Sequence, residues 1–235
     1  MKKFYSDCFD MPIQNILSLG QVRTDIIFDN NYIKKVKNIF FNKYPFLKDK
    51  KIYFYCPTFR ENNKMTSFSS FNIYRLSKKL NSNEIFIYKL HPAIINIIND
   101  AAGKNNAKEI TNLKETNHNI INMSHKDIIE LLIISDVIIT DYSSAFMERL
   151  LLNKPVVFAA DDIDKYERGF FIDYRKDLPG EIVESGKAED ILKALRNASI
   201  DHPNYKVFKE NHLSACDGHS AERIAYFIKN IYNTI

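Results

Sequence analysis

The segment DVIITDYSSAFMERLLLNKPVVFAA, residues 136–160, decides the fold class of this chain. It opens with an apolar run at 136–140, passes through the polar stretch DYSS at 141–144, and continues with a helical pattern at 144–152 before a second apolar run at 154–160. Apolar runs without polar alternation are typical of strands buried on both faces of a parallel sheet. A strand, a helix and a second strand in this order predict a βαβ unit.

The rest of the chain repeats this alternation. Runs of β-forming residues that stop at proline or polar residues predict further strands, and apolar residues at helical spacing predict the helices between them. The predicted strands lie at 51–59, 84–92 and 119–123, and the predicted helices at 31–44, 71–81, 93–101, 124–134, 187–198, 204–213 and 219–233. We expect loops at 60–70 and 103–119 and irregular chain at 161–185. The predicted fold class is α/β, a Rossmann-like domain with a parallel sheet covered on both faces.

Two expectations concern the ends of these elements. Ser124 is expected to cap the helix at 124–134, with Asp127 in its first turn, because a hydroxyl can accept from free N–H groups and a carboxylate suits the positive end of the helix dipole. Residues 1–30 are expected to be irregular or partly helical.

Composition limits the possible classes of function. The net charge of +4, from 33 Lys and Arg against 29 Asp and Glu, is too small to indicate a nucleic-acid partner but fits an anionic ligand or a loose contact with an anionic membrane face. The 3 cysteines are far apart and form no CxxC pattern, which predicts a reducing, cytoplasmic compartment. The N-terminus lacks an apolar signal core and the apolar runs are too short to span a bilayer, so we expect no integral membrane segment.

The sequence predicts neither a metal site nor a cofactor. It has no HExxH pattern and no clustered pair of carboxylates that would suit a metal ion. It also lacks a glycine-rich phosphate loop and a GxSxG elbow, which argues against dinucleotide-binding, P-loop and serine-hydrolase functions.

The candidate site comes from the ends of the predicted strands. In parallel α/β sheets, ligands bind beyond the carboxyl ends of the strands, at what we call the carboxyl edge. Basic, hydroxyl and acidic side chains follow five predicted strands. They are Thr58 and Arg60, then Lys89 and His91, then Ser124 and His125, then Asp141, Ser143 and Ser144, and finally Asp161 and Asp162. Their convergence predicts a site for a phosphate or diphosphate.

Several of these residues also have a purely structural explanation. Ser143 and Ser144 begin a helix, where a hydroxyl suits either an N-cap or, with the free N–H groups, a bound phosphate. His91 in KLHP suits either phosphate contact and proton transfer or a backbone hydrogen bond in a loop. Arg60 suits either a diphosphate clamp or a solvated loop charge. For His125 the structural role is the expected one.

Two acidic residues and one arginine complete the set of candidates. Arg23 and Asp25, in GQVRTD, either form a local salt bridge or reach the carboxyl edge. Asp141 is expected to orient its loop by accepting backbone N–H groups, in preference to a catalytic role.

The motifs together resemble one family. CPTFRE at 56–61, KLHP at 89–92, SDVIITDYSSAFMERLLLNKPVVF at 135–158 and RGFFIDYRKDLPGEIV at 168–183 resemble the motifs of CDP-glycerol glycerophosphotransferases of teichoic acid and capsule synthesis. GQVRTD is similar to that family's G-x-P-R-x-D, with Val22 where proline is usual. Each motif is weak alone, but five in order, from about residue 12 to the C-terminus, are specific.

This resemblance implies a fold and a set of site residues. The chain would supply the C-terminal, nucleotide-binding half of a GT-B fold, with an interdomain-crossover-like segment at 1–30 and a CDP-glycerol-binding Rossmann-like domain at 31–235. His91 would act in catalysis or diphosphate binding. The residues around the cytidine diphosphate would be Arg23, Thr58, Arg60, Lys89, Ser143 and Ser144, with Asp25, Asp141 and Asp162 in support.

The resemblance also implies an activity. It is the transfer of glycerol phosphate, or a related polyol phosphate, from CDP-glycerol to a cell-surface polymer, with release of CMP and without metal or cofactor. Family enzymes add an N-terminal half with the acceptor site and a His-Gly pair, whereas this sequence has no such pair and about 20 residues before LSLGQVRTD. We therefore expect a donor-binding half that is a fragment, a split gene product completed by a partner chain, or the product of a degraded gene. It is expected in the cytoplasm, either free or peripheral at the inner face of the bacterial plasma membrane. A non-catalytic nucleotide-diphosphate-binding module and a GT-B nucleotide-sugar glycosyltransferase are the alternatives.

Overall fold

Helices alternate with strands along the chain. A computed structural model describes residues 2–58, 73–90, 119–166 and 172–232. Its strands are β1 (Lys51–Cys56), β2 (Glu84–Tyr88), β3 (Ile120–Asn122), β4 (Val137–Thr140), β5 (Val156–Ala159) and β6 (Glu181–Val183). Its α-helices are α1 (Lys2–Cys8), α2 (Asn30–Lys43), α3 (Ile73–Ser77), α4 (Ile128–Ile134), α5 (Ala145–Leu151), α6 (Tyr174–Asp177), α7 (Ala188–Asn197), α8 (Pro203–Leu213) and α9 (Ser220–Tyr232). Short 3₁₀ helices lie at Ile13–Asn15, Val22–Phe28, Pro45–Leu47 and Ile163–Lys165.

The six described strands form one parallel sheet in the order β3-β2-β1-β4-β5-β6. In this Rossmann-type order the chain leaves β1 towards one side of the sheet and later returns to its other side at β4, so the topological switch point lies between β1 and β4. The predicted α/β class with a parallel sheet is confirmed, and the switch point marks where a ligand is expected.

Both faces of the sheet are buried. Successive strand residues point to opposite faces, so Phe54 and Phe158 pack on one side together with α2, α4, α5 and α8. Tyr55, Phe86 and Val157 pack on the other side together with α3 and α7. Since neither face meets water, the strands contain apolar residues throughout, which explains the uninterrupted runs in the sequence.

Two cationic side chains, Arg149 and Lys154, donate hydrogen bonds at the edge of the sheet where the strands begin, which we call the amino edge. The Arg149 guanidinium is fully buried and donates to the carbonyl oxygens of Leu132, Ser135, Asp136 and Pro155. These bonds satisfy carbonyls at the end of α4, which no intrahelical partner can reach. Lys154 donates to the carbonyls of Ile133 at 2.7 Å and Ser135 at 2.6 Å. Neither role was predicted from the sequence, because both depend on carbonyl groups from other elements.

A second connection at the amino edge joins α7 to the sheet. Glu84, at the start of β2, accepts from Arg196 Nη2 at 2.7 Å and Nε at 2.9 Å, from the Tyr53 hydroxyl at 2.8 Å and from the Asn81 N–H at 2.8 Å. The Arg196 guanidinium is the main reason that the pKa of Glu84 falls to about 2. The carboxylate therefore stays charged although it is buried.

Two predictions about elements were wrong. Ser124 does not cap α4: the helix begins at Ile128, and Asp127 is the N-cap, with its carboxylate accepting from Ile129 N–H at 2.7 Å. The interval 161–185 is not irregular, since it contains α6 and β6. β6 has only three residues and a partly polar pattern, so an edge strand of this kind resembles loop sequence.

The expected helix at 93–101 and the loops at 60–70 and 103–118 lie outside the described residues. The other predicted helices are present within the residues that the structure describes, with ends that differ by a few positions. Of those described helices, none is both long and apolar enough to cross a membrane.

Candidate functional site at the carboxyl edge

Asp141 links the two central strands at the switch point. Its buried carboxylate accepts from Thr58 N–H at 2.8 Å, beyond the end of β1, and from Tyr142 N–H at 2.7 Å, beyond the end of β4. Just before it, the Thr140 hydroxyl donates to the Cys56 carbonyl at 2.7 Å. Asp141 thus accepts backbone N–H groups, as the sequence predicts, and sets the spacing of the two loops that border the candidate site.

Thr58, which follows the end of β1, carries a buried hydroxyl group. Its backbone is held by Asp141, yet its Oγ1 is buried without a hydrogen-bond partner in the part of the chain that is described. A buried hydroxyl normally finds a partner, because leaving it unpaired costs free energy. The orphaned atom fits a position where a ligand completes the hydrogen bonding.

Ser143 and Ser144 lie at the start of α5, where their hydroxyl groups contribute little to capping the helix. Ser143 Oγ accepts from Ala145 N–H at a long 3.4 Å, and Ser144, although it is the N-cap, makes no side-chain cap hydrogen bond. Ser144 is exposed and Ser143 half-buried. The capping explanation is therefore weak for both hydroxyls, which leaves them able to donate to an anion.

Arg23 reaches α5 from the 3₁₀ helix Val22–Phe28. Its Nη2 lies 2.5 Å from Glu148 Oε1, with the arginine side chain 53% exposed and the glutamate side chain 3% exposed. Burial raises the pKa of Glu148, and the Arg23 charge opposes that rise. Of the two alternatives for Arg23, the local pair with Asp25 is therefore not the observed one.

Asp25 instead joins the two ends of the described chain. Its carboxylate accepts from Ser220 N–H at 3.1 Å and Ala221 N–H at 2.8 Å, and so caps α9. Burial on its own would raise the pKa of Asp25, but the backbone hydrogen bonds from Ala221 and Ser220 contribute to lowering it overall. The contacts assign Asp25 a structural role, and its predicted support of a donor site would act only through the position of Arg23.

Aromatic rings pack behind the Asp141 loop. Tyr142 stacks on Tyr166 with ring centroids 3.7 Å apart, and its hydroxyl donates to Asp162 Oδ1 at 2.7 Å. The Tyr174 hydroxyl donates to the Asp141 carbonyl. Asp162 therefore fixes the orientation of Tyr142, and its support of the donor site stays a prediction. Tyr174 was missed because α6 was not expected.

Lys89 points towards the loop after β3. Its Nζ donates to the carbonyls of Ser124 at 2.7 Å and Lys126 at 2.8 Å, and burial lowers its pKa. Ser124 in turn accepts from Leu90 N–H at 3.0 Å. These bonds tie the end of β2 to the turn after β3, so a phosphate contact by Lys89 remains a prediction.

Other predicted residues are not brought into the site by the described structure. His91 and Arg60 lie outside the described residues, and their roles remain predictions. His125 is exposed at a turn before α4, and the structural role expected for it stays a prediction. Among the residues described, no group of three His, Cys, Asp or Glu side chains lies close enough to hold a metal ion.

The comparison with known protein families identifies the chain. The family model of CDP-Glycerol:Poly(glycerophosphate) glycerophosphotransferase matches residues 1–230. The chain belongs to this family. The resemblance inferred from five short motifs is thereby confirmed across nearly the whole sequence.

Curated members of the glycerophosphotransferase family include polymerases and primases. The chain is 31% identical over 229 residues to the teichoic acid poly(ribitol-phosphate) polymerase of Bacillus spizizenii, which covers 95% of this chain and 35% of the relative. It is 28% identical over 233 residues to the teichoic acid glycerol-phosphate primase of Bacillus subtilis, covering 98% and 55% respectively. The chain thus spans between about a third and somewhat more than half of these relatives.

Solved structures of the family share the fold. A variant of the wall teichoic acid polymerase TagF is 26% identical with a TM-score of 0.75, covering 99% of this chain and 56% of that one. A TagF structure soaked with CDPG has a TM-score of 0.72 at 25% identity, covering 97% and 53%. A UDP-GlcNAc 2-epimerase from Methanocaldococcus jannaschii, at 16% identity and a TM-score of 0.54, shares the fold alone.

Proposed function

We propose that this chain binds CDP-glycerol, or a related CDP-polyol, at the carboxyl edge between β1 and β4. In this proposal it serves the transfer of polyol phosphate to a teichoic acid acceptor. The family match supports the substrate class. The observation that carries the location is the set of under-used donors at the switch point, namely the orphaned Thr58 hydroxyl, Ser143 and Ser144. Donors without protein partners suit the oxygen atoms of a diphosphate.

The proposed reaction is a phosphoryl-type transfer. An acceptor hydroxyl attacks the β-phosphorus of CDP-glycerol and gives its proton to a base that belongs to the acceptor half. The bond from that phosphorus to the bridging oxygen breaks, and CMP leaves with the bridging oxygen. Such a step needs positioning and charge neutralisation more than covalent chemistry. Arg23 would offset charge on the leaving CMP, and the serine hydroxyls would hold diphosphate oxygens. His91 keeps its predicted role in binding or protonating a phosphoryl oxygen, and Arg60 keeps its predicted role in holding the diphosphate and offsetting its charge.

The acceptor site is proposed to lie outside the matched region, on a partner chain or on further sequence of the same polypeptide. The relatives are roughly two to three times longer than the part that this chain covers, which leaves room in them for such a site. The polymer end would be presented at the inner face of the plasma membrane. The net charge of +4 supports a peripheral contact with anionic lipid there.

Donor binding is tested by calorimetric titration of CDP-glycerol into the wild type and three variants. The double change Ser143→Ala with Ser144→Ala and the change His91→Ala are each expected to weaken binding by about ten-fold, since each removes donors to a charged phosphate. Ser199→Ala is the matched control, because that exposed serine follows α7 at the amino edge. Equal affinities in all four proteins would refute the proposed site.

Substrate class and turnover are tested separately. CDP is expected to compete with CDP-glycerol and UDP to compete poorly; the reverse order would favour the nucleotide-sugar alternative. Titration of CDP-ribitol alongside CDP-glycerol distinguishes the two polyols found in relatives' names. CMP release is then measured with and without a polypeptide that carries the acceptor half. Donor binding without release under either condition would leave a binding module instead of a transferase.

A further inference from the structure

Glu148 is a buried carboxylate whose role is not explained by the sheet or the helix around it. It lies on α5, is 2% exposed, and places Oε1 2.5 Å from Arg23 Nη2. Its other oxygen, Oε2, is buried without a hydrogen-bond partner within the described structure. Burying a carboxylate with a partner on only one of its oxygens costs free energy, and the raised pKa of Glu148 reflects this burial.

Stability alone is a poor reason for this arrangement. A buried ion pair often contributes little, because the cost of removing both charges from water offsets their attraction. Arg23 is also half exposed, which screens the pair further. The pair does fix the position of Arg23. Glu148 holds one terminal nitrogen of the arginine, while 53% of the arginine side chain stays exposed to solvent. No other protein partner of Arg23 occurs among the residues described.

The anchor lies beside the proposed donor site. Glu148 follows Ser144 by one helical turn, and Ser144 itself has helical backbone angles of φ −62° and ψ −8°. Residues with this spacing share one face of a helix, and long side chains on a helix lean towards its N-terminus. The carboxylate of Glu148 therefore holds the Arg23 guanidinium on the same side of α5 as the exposed Ser144 hydroxyl.

We propose that Glu148 is a positioning residue, which holds Arg23 so that the free N–H groups of its guanidinium bind the diphosphate of the donor. This inference rests on the proposed function, since it assigns a role within that same site. Glu148 touches no reacting atom in this scheme. It acts through Arg23, whose planar fork binds phosphate oxygens best when its orientation is fixed before binding.

The test is a double-mutant cycle with CDP as the probe. CDP is titrated by calorimetry into the wild type, Glu148→Gln, Arg23→Ala and the double variant. Glu148→Gln keeps the shape but removes the charge, and we expect an affinity for CDP about ten-fold lower; Arg23→Ala should lose about ten-fold or more. The double variant should bind CDP no more weakly than Arg23→Ala alone, because the two changes remove one shared interaction.

A second ligand separates positioning from general structural support. Cytidine, which has no phosphate, is titrated into the same proteins by NMR, and its affinity should not change in Glu148→Gln. Glu189→Gln is the matched control, since that exposed carboxylate pairs with Lys79 and belongs to α7, which packs on the face of the sheet opposite to α5. Should Glu148→Gln fail to fold, Glu148→Asp, which shortens the anchor by one methylene, replaces it with the same expectations.

Three outcomes would overturn the inference. Unchanged CDP affinity in Glu148→Gln, or additive losses in the double variant, would exclude positioning while leaving the donor site intact. An equal loss for cytidine and CDP would show a structural role instead. A wild type that does not bind CDP would overturn the proposed donor site, and this inference with it.

Discussion

Asp141 connects the two central loops of the candidate site by hydrogen bonds. It accepts from N–H groups on both central loops while its own carbonyl accepts from Tyr174. A single side chain therefore fixes two segments that are 83 residues apart in sequence at Thr58 and Asp141. Any ligand that bridges the two loops depends on this spacing.

Replacing Asp141 by alanine is expected to destabilise the protein by about 2–4 kcal/mol, because the Thr58 and Tyr142 N–H groups lose their acceptor. Asp141→Asn should cost clearly less, since an amide oxygen can still accept both bonds. Urea denaturation measures the two free energies of unfolding. If Asp141→Asn and Asp141→Ala lose the same free energy of unfolding, the charge of Asp141 stabilises the fold and hydrogen-bond acceptance by Oδ1 does not.

The sequence predicted the kinds of residue at the site better than their partners. Asp141, Ser143, Ser144 and Thr58 follow strand ends, so a pattern of strands is enough to place them at one edge. The pairing of Arg23 with Glu148 was not predicted, because 125 residues separate them and no local pattern connects the two. The spacing of Glu148 one turn after Ser144 is the signal that could have suggested it.

Individual elements are held to the sheet by charged contacts at their ends. The Glu84 carboxylate at the start of β2 binds Arg196 near the end of α7. Because the folded-state pKa of Glu84 is lowered from 4.5 to about 2, the pair stabilises the fold above about pH 4.5. That contribution is lost as the pH falls towards 2.

The change Glu84→Gln is therefore expected to cost about 1–3 kcal/mol at pH 7 and progressively less as the pH falls from 4.5 to 2. The amide cannot ionise, so it removes this proton-linked part of the stability. Urea denaturation of wild type and variant across that range measures the difference. A constant difference at every pH would contradict the assigned cause.

Whether a strand or a helix could be predicted from the sequence depended on its length and its burial. Strands β1, β2 and β4 are wholly or almost wholly buried, so their apolar runs identify them directly. β6 is a three-residue edge strand with one buried side chain, and nothing local separates it from a loop. The start of α4 was misplaced because Ser124 and Asp127 are both residues that can cap a helix. Hydrogen bonds with Lys89 and Leu90 hold Ser124 in the preceding turn, which leaves Asp127 as the cap.

Across the whole molecule, Asp25 fastens the N-terminal segment to the last described helix. We expect Asp25→Ala to destabilise the fold by about 1 kcal/mol, the usual cost of losing an N-cap. Since the folded-state pKa of Asp25 is lowered, this contribution is present above pH 4 and is lost in more acid solution. Amide hydrogen exchange measures it.

Exchange in Asp25→Ala should accelerate most at the beginning of α9, whereas the amides of β1 and β4 should change little. Asp29→Ala, which removes the N-cap of α2, is the matched control and should act on α2 instead. Uniform acceleration over the whole protein would mean that Asp25 contributes to global stability and does not fasten one helix.

The strand order has a consequence for how this fold can diverge. The loops after β1 and β4 are neighbours in space at the switch point, yet they belong to distant parts of the chain. A substitution at position 58 can keep this contact, because the hydrogen bond to Asp141 uses the backbone N–H of Thr58 and none of its side-chain atoms. The side chain that follows β1 can therefore change in evolution, and donor preference with it, while the spacing of the two central strands is kept.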